Sequence, residues 1–95
     1  MPSSSATVTT DRAARYIKQL VSHLGHRAST ELADDGTGTV TVGNGHCTMT
    51  PTEHSLNLAA TADDEETLAR IQDVVGRHLI RFAPQEAVEV TWKQD

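Results

Sequence analysis

Residues 28–62, ASTELADDGTGTVTVGNGHCTMTPTEHSLNLAATA, decide the fold, because apolar and polar residues alternate along this stretch with a period of two. Asp35-Gly36, Asn44-Gly45 and Pro51-Thr52 are turn signals that cut it into four short strands, the pattern of an antiparallel meander. Successive side chains of a strand point to opposite faces. Ala28, Thr30, Leu32, Val40, Val42, Cys47, Met49, Leu56, Leu58 and Ala60 are therefore expected on one side. Thr39, Thr41, Thr48, Thr50, Ser55, Asn57 and Thr61 are expected on the other. The meander thus has one apolar face to bury and one face rich in threonine.

Working outward, DRAARYIKQLVSHLG (11–25) carries Ala13, Ile17, Leu20, Val21 and Leu24 on one arc at helical spacing, with Thr10 or Asp11 to cap it and Gly25 to stop it. ADDEETLARIQ (62–72) starts a second helix, its carboxylates opposing the positive pole of the helix dipole. Leu68, Ile71, Val75, Leu79 and Phe82 form its apolar arc, and Pro84 helps to end it. SATVT (5–9) reads as a first strand, and AVEVTW (87–92), with Val88, Val90 and Trp92 alternating, as a last one. The expected architecture is an α+β two-layer sandwich, an antiparallel sheet with two helices on one face in the order β-α-β-β-β-β-α-β. Residues 1–4 are expected to be a flexible tail and residues 5–95 a single domain, with Phe82 and Trp92 as aromatic anchors of an otherwise aliphatic core.

The net charge of −5 opposes general binding to nucleic acid, which draws its affinity from clustered Lys and Arg. No apolar run approaches the ~20 residues that span a bilayer, and the first residues lack a secretory pattern, so no membrane partner and a cytoplasmic location are expected. The lone Cys47 agrees with a reducing compartment. GTGTVTVGNG (36–45) fails as a phosphate loop, because Thr41 stands at the third glycine and the segment enters a strand. A nucleophile elbow is missing as well, and neither Cys-x-x-Cys nor His-Glu-x-x-His occurs.

YIKQLVSHLGHR (16–27), HLIRFAPQEAVEVTW (78–92) and the meander between them resemble the bacterial family known as domain of unknown function 2218. The resemblance covers nearly the whole chain; its most specific part is His-Leu-x-Arg-Phe-Ala followed by a strand bearing tryptophan. Members of that family occur near or joined to siderophore-interacting flavin reductases. The resemblance therefore implies such a reductase as a partner and a link to iron, without supplying a catalytic set.

The five histidines are the remaining chemistry. His78 falls between Ile71, Val74 and Phe82 on the helical wheel, so its ring is expected at the sheet or its margin, where a structural role is the first reading and ligand contact the second. Strand directions that alternate through the meander send the helices antiparallel and set His23 and His78 at opposite ends. That arrangement groups His23, His26, His46 and Cys47 as candidate metal ligands, and His54, His78 and Arg81 as candidate ligand-binding residues. Cys47 is expected inward, as a small apolar filler. The leading functional expectation is a small non-enzymatic binding or accessory domain. The alternatives are a metal- or haem-linked enzyme or redox accessory, and a protein–protein interaction module.

Overall fold

The computed structural model describes residues 2–25, 28–82 and 90–94. The elements are β1 (Ser3–Thr9), α1 (Ala13–Leu24), β2 (Ser29–Leu32), β3 (Gly38–Val42), β4 (Gly45–Pro51), β5 (Ser55–Thr61), α2 (Glu65–Phe82) and β6 (Lys93–Gln94). One six-stranded antiparallel sheet has the order β2-β3-β4-β5-β1-β6, so the four-strand meander is intact and β1 adds to its β5 side. The architecture is the α+β fold expected from the sequence.

Both helices lie on the same face, and two glycines show it. Cross-strand partners share a face, and the registers Gly38↔Met49, Val40↔Cys47 and Val42↔Gly45 put these six residues together. A methyl group on Gly38 would stand 2.5 Å from Ile17 Cγ2 of α1, and one on Gly45 would stand 3.1 Å from Thr67 Cγ2 of α2. Each helix therefore settles over a hollow in one sheet face. Between the layers Ile17, Leu20, Val40, Cys47, Met49, Leu56, Ala60, Ile71, Val75 and Leu79 are completely buried. Tyr16 and Leu58 join the same core.

The other face stays open. Ser5, Thr7, Thr9, Thr48, Thr50 and Ala59 are exposed, while Thr39, Thr41, Asn57 and Thr61 are half-buried. Hydroxyls pair across it: Thr7 Oγ1 donates to Asn57 Oδ1 at 3.1 Å, and Thr41 Oγ1 lies 3.0 Å from His46 Nδ1. Such cross-strand pairs, together with the β-branched backbone preference, account for a polar face that still favours strand.

Several local expectations are corrected. β1 begins at Ser3, inside the expected tail, because Ser4 points inward, is buried and accepts a hydrogen bond from Gln72 Nε2 of α2. Arg12, not Thr10 or Asp11, occupies the cap position of α1 and makes no side-chain cap bond; Thr10 Oγ1 accepts from Arg12 N at 3.1 Å, and Asp11 is engaged elsewhere. The β3–β4 loop centres on Gly43 and Asn44, not on Asn44-Gly45, since Gly45 pairs with Val42 under α2. Gly43 has φ 58°, and a positive φ at the first loop position only is the II′ pattern that matches strand twist. Leu32 is 44 % exposed because β2 is an edge strand beyond the reach of the core. Among the described residues the last strand is confined to Lys93–Gln94, paired with Ser5 and Ser4, so Val90 and Trp92 precede it. Trp92 nonetheless anchors as expected, half-buried, with its Nε1 near Gly76 of α2. His26, Pro84 and Val88 lie outside the described residues, as does the Phe82 side chain.

The start of α2 is set by Asp64, whose carboxylate accepts the Thr67 backbone N–H at 2.7 Å. That bond, then the Thr67 side chain, holds the Asp64 carboxyl below its ordinary range. A depressed folded pKa adds stability above the ordinary carboxylate pKa and loses it as pH falls through the lowered value. Asp64→Asn should keep the cap, since an amide oxygen also accepts, while flattening the acid limb of a melting-temperature profile below about pH 4. An acid limb identical to that of the native chain would show that Asp64 is not the group responsible.

Candidate functional site

The sheet and helices distribute the candidate residues to four places. His46 is exposed and, by alternation with the buried Gly45 and Cys47, faces away from the helices. Cys47 is buried beneath them on the other side. Burial pushes its thiol pKa up to about 12, partly offset by a backbone hydrogen bond from Ala59. The sheet itself therefore separates His46 from Cys47, and the expected grouping of His23, His46 and Cys47 is not formed. His26 of that grouping is outside the described residues. Among the described residues no cluster of three or more His, Cys, Asp or Glu side chains is arranged to hold a metal ion.

Cys47 behaves as filler in this setting. Its thiol should resist iodoacetamide in the native state and react when the chain is unfolded in urea, as mass spectrometry would show. Because the folded pKa is raised, the unfolded chain sheds the thiol proton first. Stability should therefore decline as pH rises from about 9 towards 12. Rapid native-state alkylation would contradict the burial.

His54 sits in the turn before β5, with Nδ1 3.0 Å from Asp11 Oδ1 and Nε2 4.0 Å from Glu53 Oε2. The His54 and Asp11 side chains are 81 % and 82 % exposed, so solvent screens the pair. Asp11 precedes α1, whereas His23 lies in the last turn of that helix, about 18 Å further along its axis.

At that far end the structure makes a pairing that strand directions do not predict. The imidazoles of His23 and His78 meet with centroids 5.1 Å apart and planes tilted by 49°. The expectation that they lie at opposite ends is overturned, and with it the pairing of His54 with His78. The cause is the course of α1, which touches β2, β3, β4 and β5 and so crosses the strands instead of running along one of them. Ile17 and Val21 pass over Gly38, and Thr30 Oγ1 of β2 donates to the Val21 carbonyl at 3.1 Å. The last turn of α1 is carried sideways to meet the later turns of α2.

The two imidazoles differ in setting. His23 is exposed; His78 is half-buried, and its Nδ1 lies 2.7 Å from the Val74 carbonyl. A carbonyl oxygen only accepts, so Nδ1 carries the proton in that bond, and in the neutral ring the lone pair resides on Nε2. The same bond fixes the ring plane. Arg81 lies one turn beyond His78 with its side chain exposed, while Arg77, the residue before His78, is engaged by Asp73 at 3.1 Å. The helical wheel places His78 at a margin, which is where it is found; its partner was legible in no local pattern.

Two open depressions lie among the described residues. One, about 170 Å³, is lined by Glu65, Leu68, Ala69, Gln72, Trp92 and Gln94, and the Gln94 amide donates to both Glu65 carboxylate oxygens within it. The other, about 320 Å³, follows the β2 edge past Leu32 and Thr39. Organic ligands usually occupy enclosed cavities of about 300–1,000 Å³, so the first is small for that purpose, and the second lies open along the sheet edge.

Residues 5–93 match the family model described as an uncharacterized protein conserved in bacteria (DUF2218). The chain belongs to this family. Membership agrees with the resemblance seen in the helix-ending motifs, and the family carries no assigned chemistry. A solved structure with the same fold is the NMR structure of PA4090 from Pseudomonas aeruginosa, 33 % identical, with a TM-score of 0.82 and coverage of 98 % of this chain and 96 % of that one. No curated protein matches. In this DUF2218 chain no described helix is long and apolar enough to cross a membrane.

Proposed function

We propose that this chain is a small non-enzymatic binding or accessory domain whose ligand site is the junction of α1 and α2 at His23 and His78. The observation that carries the reading is the meeting of two imidazoles from separate helices, one ring fixed through its Nδ1–H to Val74 and the other reachable from solvent. Imidazoles so placed can accept a hydrogen bond, donate one when protonated, or ligate, and a ligand that engages both would tie the helices together. A binding role is favoured over turnover because Cys47 is held as a buried thiol and the His54–Asp11 pair stands in open solvent. The reading extends to a cytoplasmic accessory role beside a partner such as the flavin reductases implied by the resemblance.

Ligand-induced thermal stabilisation tests the site. A panel of inorganic ions, small organic anions and metabolite-sized aromatics is added to the full chain and to His23→Ala, which alters an exposed residue. At least one class should raise the native melting temperature and fail to raise that of the variant. Shifts of equal size in both proteins would place binding elsewhere and overturn the reading.

A further inference from the structure

We infer that the sheet face turned away from the helices is a contact surface for a second copy of this chain, the two copies meeting face to face as a symmetric dimer. The strand registers define one continuous row across all six strands: Glu31, Thr39, Thr48, Ala59, Ser5 and Lys93. Thr39 lies between the buried Gly38 and Val40, and Ser5 between the buried Ser4 and Ala6, so the whole row faces away from the helices. Neighbouring strands are about 4.8 Å apart, which makes the row about 24 Å long. It begins with a carboxylate, ends with an ammonium group and is uncharged between them. Among the described residues neither Glu31 nor Lys93 is engaged in an ion pair.

Most of the charge of the chain lies elsewhere. Among the described strand residues on this face, with histidine neutral, Glu31 and Lys93 carry the formal charges and cancel, whereas the whole chain carries −5. Two acidic copies therefore repel least through this face. A centre depleted of charge is also what distinguishes a protein contact surface, and threonine offers methyl groups beside hydroxyls that can pair across it. The surface is separate from the junction of His23 and His78 in the helix layer, and the inference stands without that reading.

The order of the charges selects the symmetry. A two-fold axis parallel to the strands, passing between Thr48 and Ala59, lays the row on its own copy in reverse. Glu31 then meets Lys93 of the partner subunit, and Lys93 meets the partner's Glu31. An axis along the row would instead set Glu31 against the partner's Glu31. Twisted sheets stack about 10 Å apart with their strands within about 30° of each other, a gap that two long side chains at the rim can span. The central strands β3, β4, β5 and β1 are 5, 7, 7 and 7 residues long. The projected footprint is thus roughly 500 Å² per copy, below the ~800 Å² of a standard interface, so a weak, concentration-dependent dimer is expected.

The test is sedimentation velocity on the untagged full chain over a concentration series, with circular dichroism to confirm the fold of each variant. The native chain should show a reversible monomer–dimer equilibrium. Glu31→Lys or Lys93→Glu should weaken it roughly ten-fold, because each change turns two symmetric attractions into repulsions, and the two changes together should restore it. Ala59→Arg, which sets a charge at an exposed central position, should abolish it, with Thr48→Lys as the second central variant if Ala59→Arg misfolds. A chain that stays monomeric up to millimolar concentration overturns the inference. So does a dimer indifferent to the central variants, as pairing along the β2 edge would be. A dimer lost in Ala59→Arg but not recovered by the double charge reversal overturns the two-fold arrangement.

Discussion

Leu20→Ala is expected to destabilise the protein by about 2–5 kcal/mol, the range for emptying a leucine site in a packed core. Leu20 is 0 % exposed in α1, the helix that passes over four strands, so its side chain fills the space between the layers. The loss combines the transfer of three carbons with the void left behind, and the sheet beneath can close only part of that void. A chain of this size has a total stability of roughly 5–14 kcal/mol, so a single truncation removes a large share of it. In urea the unfolding midpoint should drop by about 1 M or more with little change in slope. A midpoint equal to that of the native chain would show that α1 does not press on the sheet at this position.

Gly38→Ala should cost about 1–3 kcal/mol although it adds one methyl group to a strand, where alanine is ordinarily no worse than glycine. The new Cβ would meet Ile17 Cγ2 at 2.5 Å, Met49 Cε at 3.0 Å and Val21 Cγ2 at 3.1 Å. Met49 is flexible, but Ile17 is branched at Cβ, fully buried and unable to swing aside. Backbone strain is no part of the effect, since positive φ among the glycines is confined to Gly36 and Gly43. Ile17→Ala in the same chain removes the obstructing methyl. The double variant should therefore be less destabilised than the two single losses added together, with a coupling of about 0.5–3 kcal/mol. Strict additivity would mean that α1 moves away as a body, leaving the hollow under Ile17 without a role in its placement.

The meander, its apolar and threonine faces and both amphipathic helices were legible, because alternation along a strand and recurrence along a helix are properties of the backbone alone. Burial of Val40, Cys47, Met49, Leu56, Leu58 and Ala60 follows that rule. Leu32 breaks it because its strand is at the sheet edge, and strand order is not a local property. Gly45 reads locally as a turn residue because glycine serves both a turn and a close approach, and only the presence of Thr67 and Ile71 above it distinguishes the two.

The candidate site divides in the same way. Histidine at a helix end and an inward cysteine were both given by position in the repeat. That His23 meets His78 was not, since alternating strand directions set the relative positions of the helix ends only where each helix runs along the strands. The primary structure determined which surfaces must be covered and which elements could cover them, through periodicities of two and 3.6 residues. The angle at which α1 crosses was decided only when the layers packed, because it depends on hollows such as that at Gly38 and on the bulk of residues distant in the chain. A change in that angle moves the last turn of a 12-residue helix by several ångströms. That is enough to choose which imidazoles become neighbours.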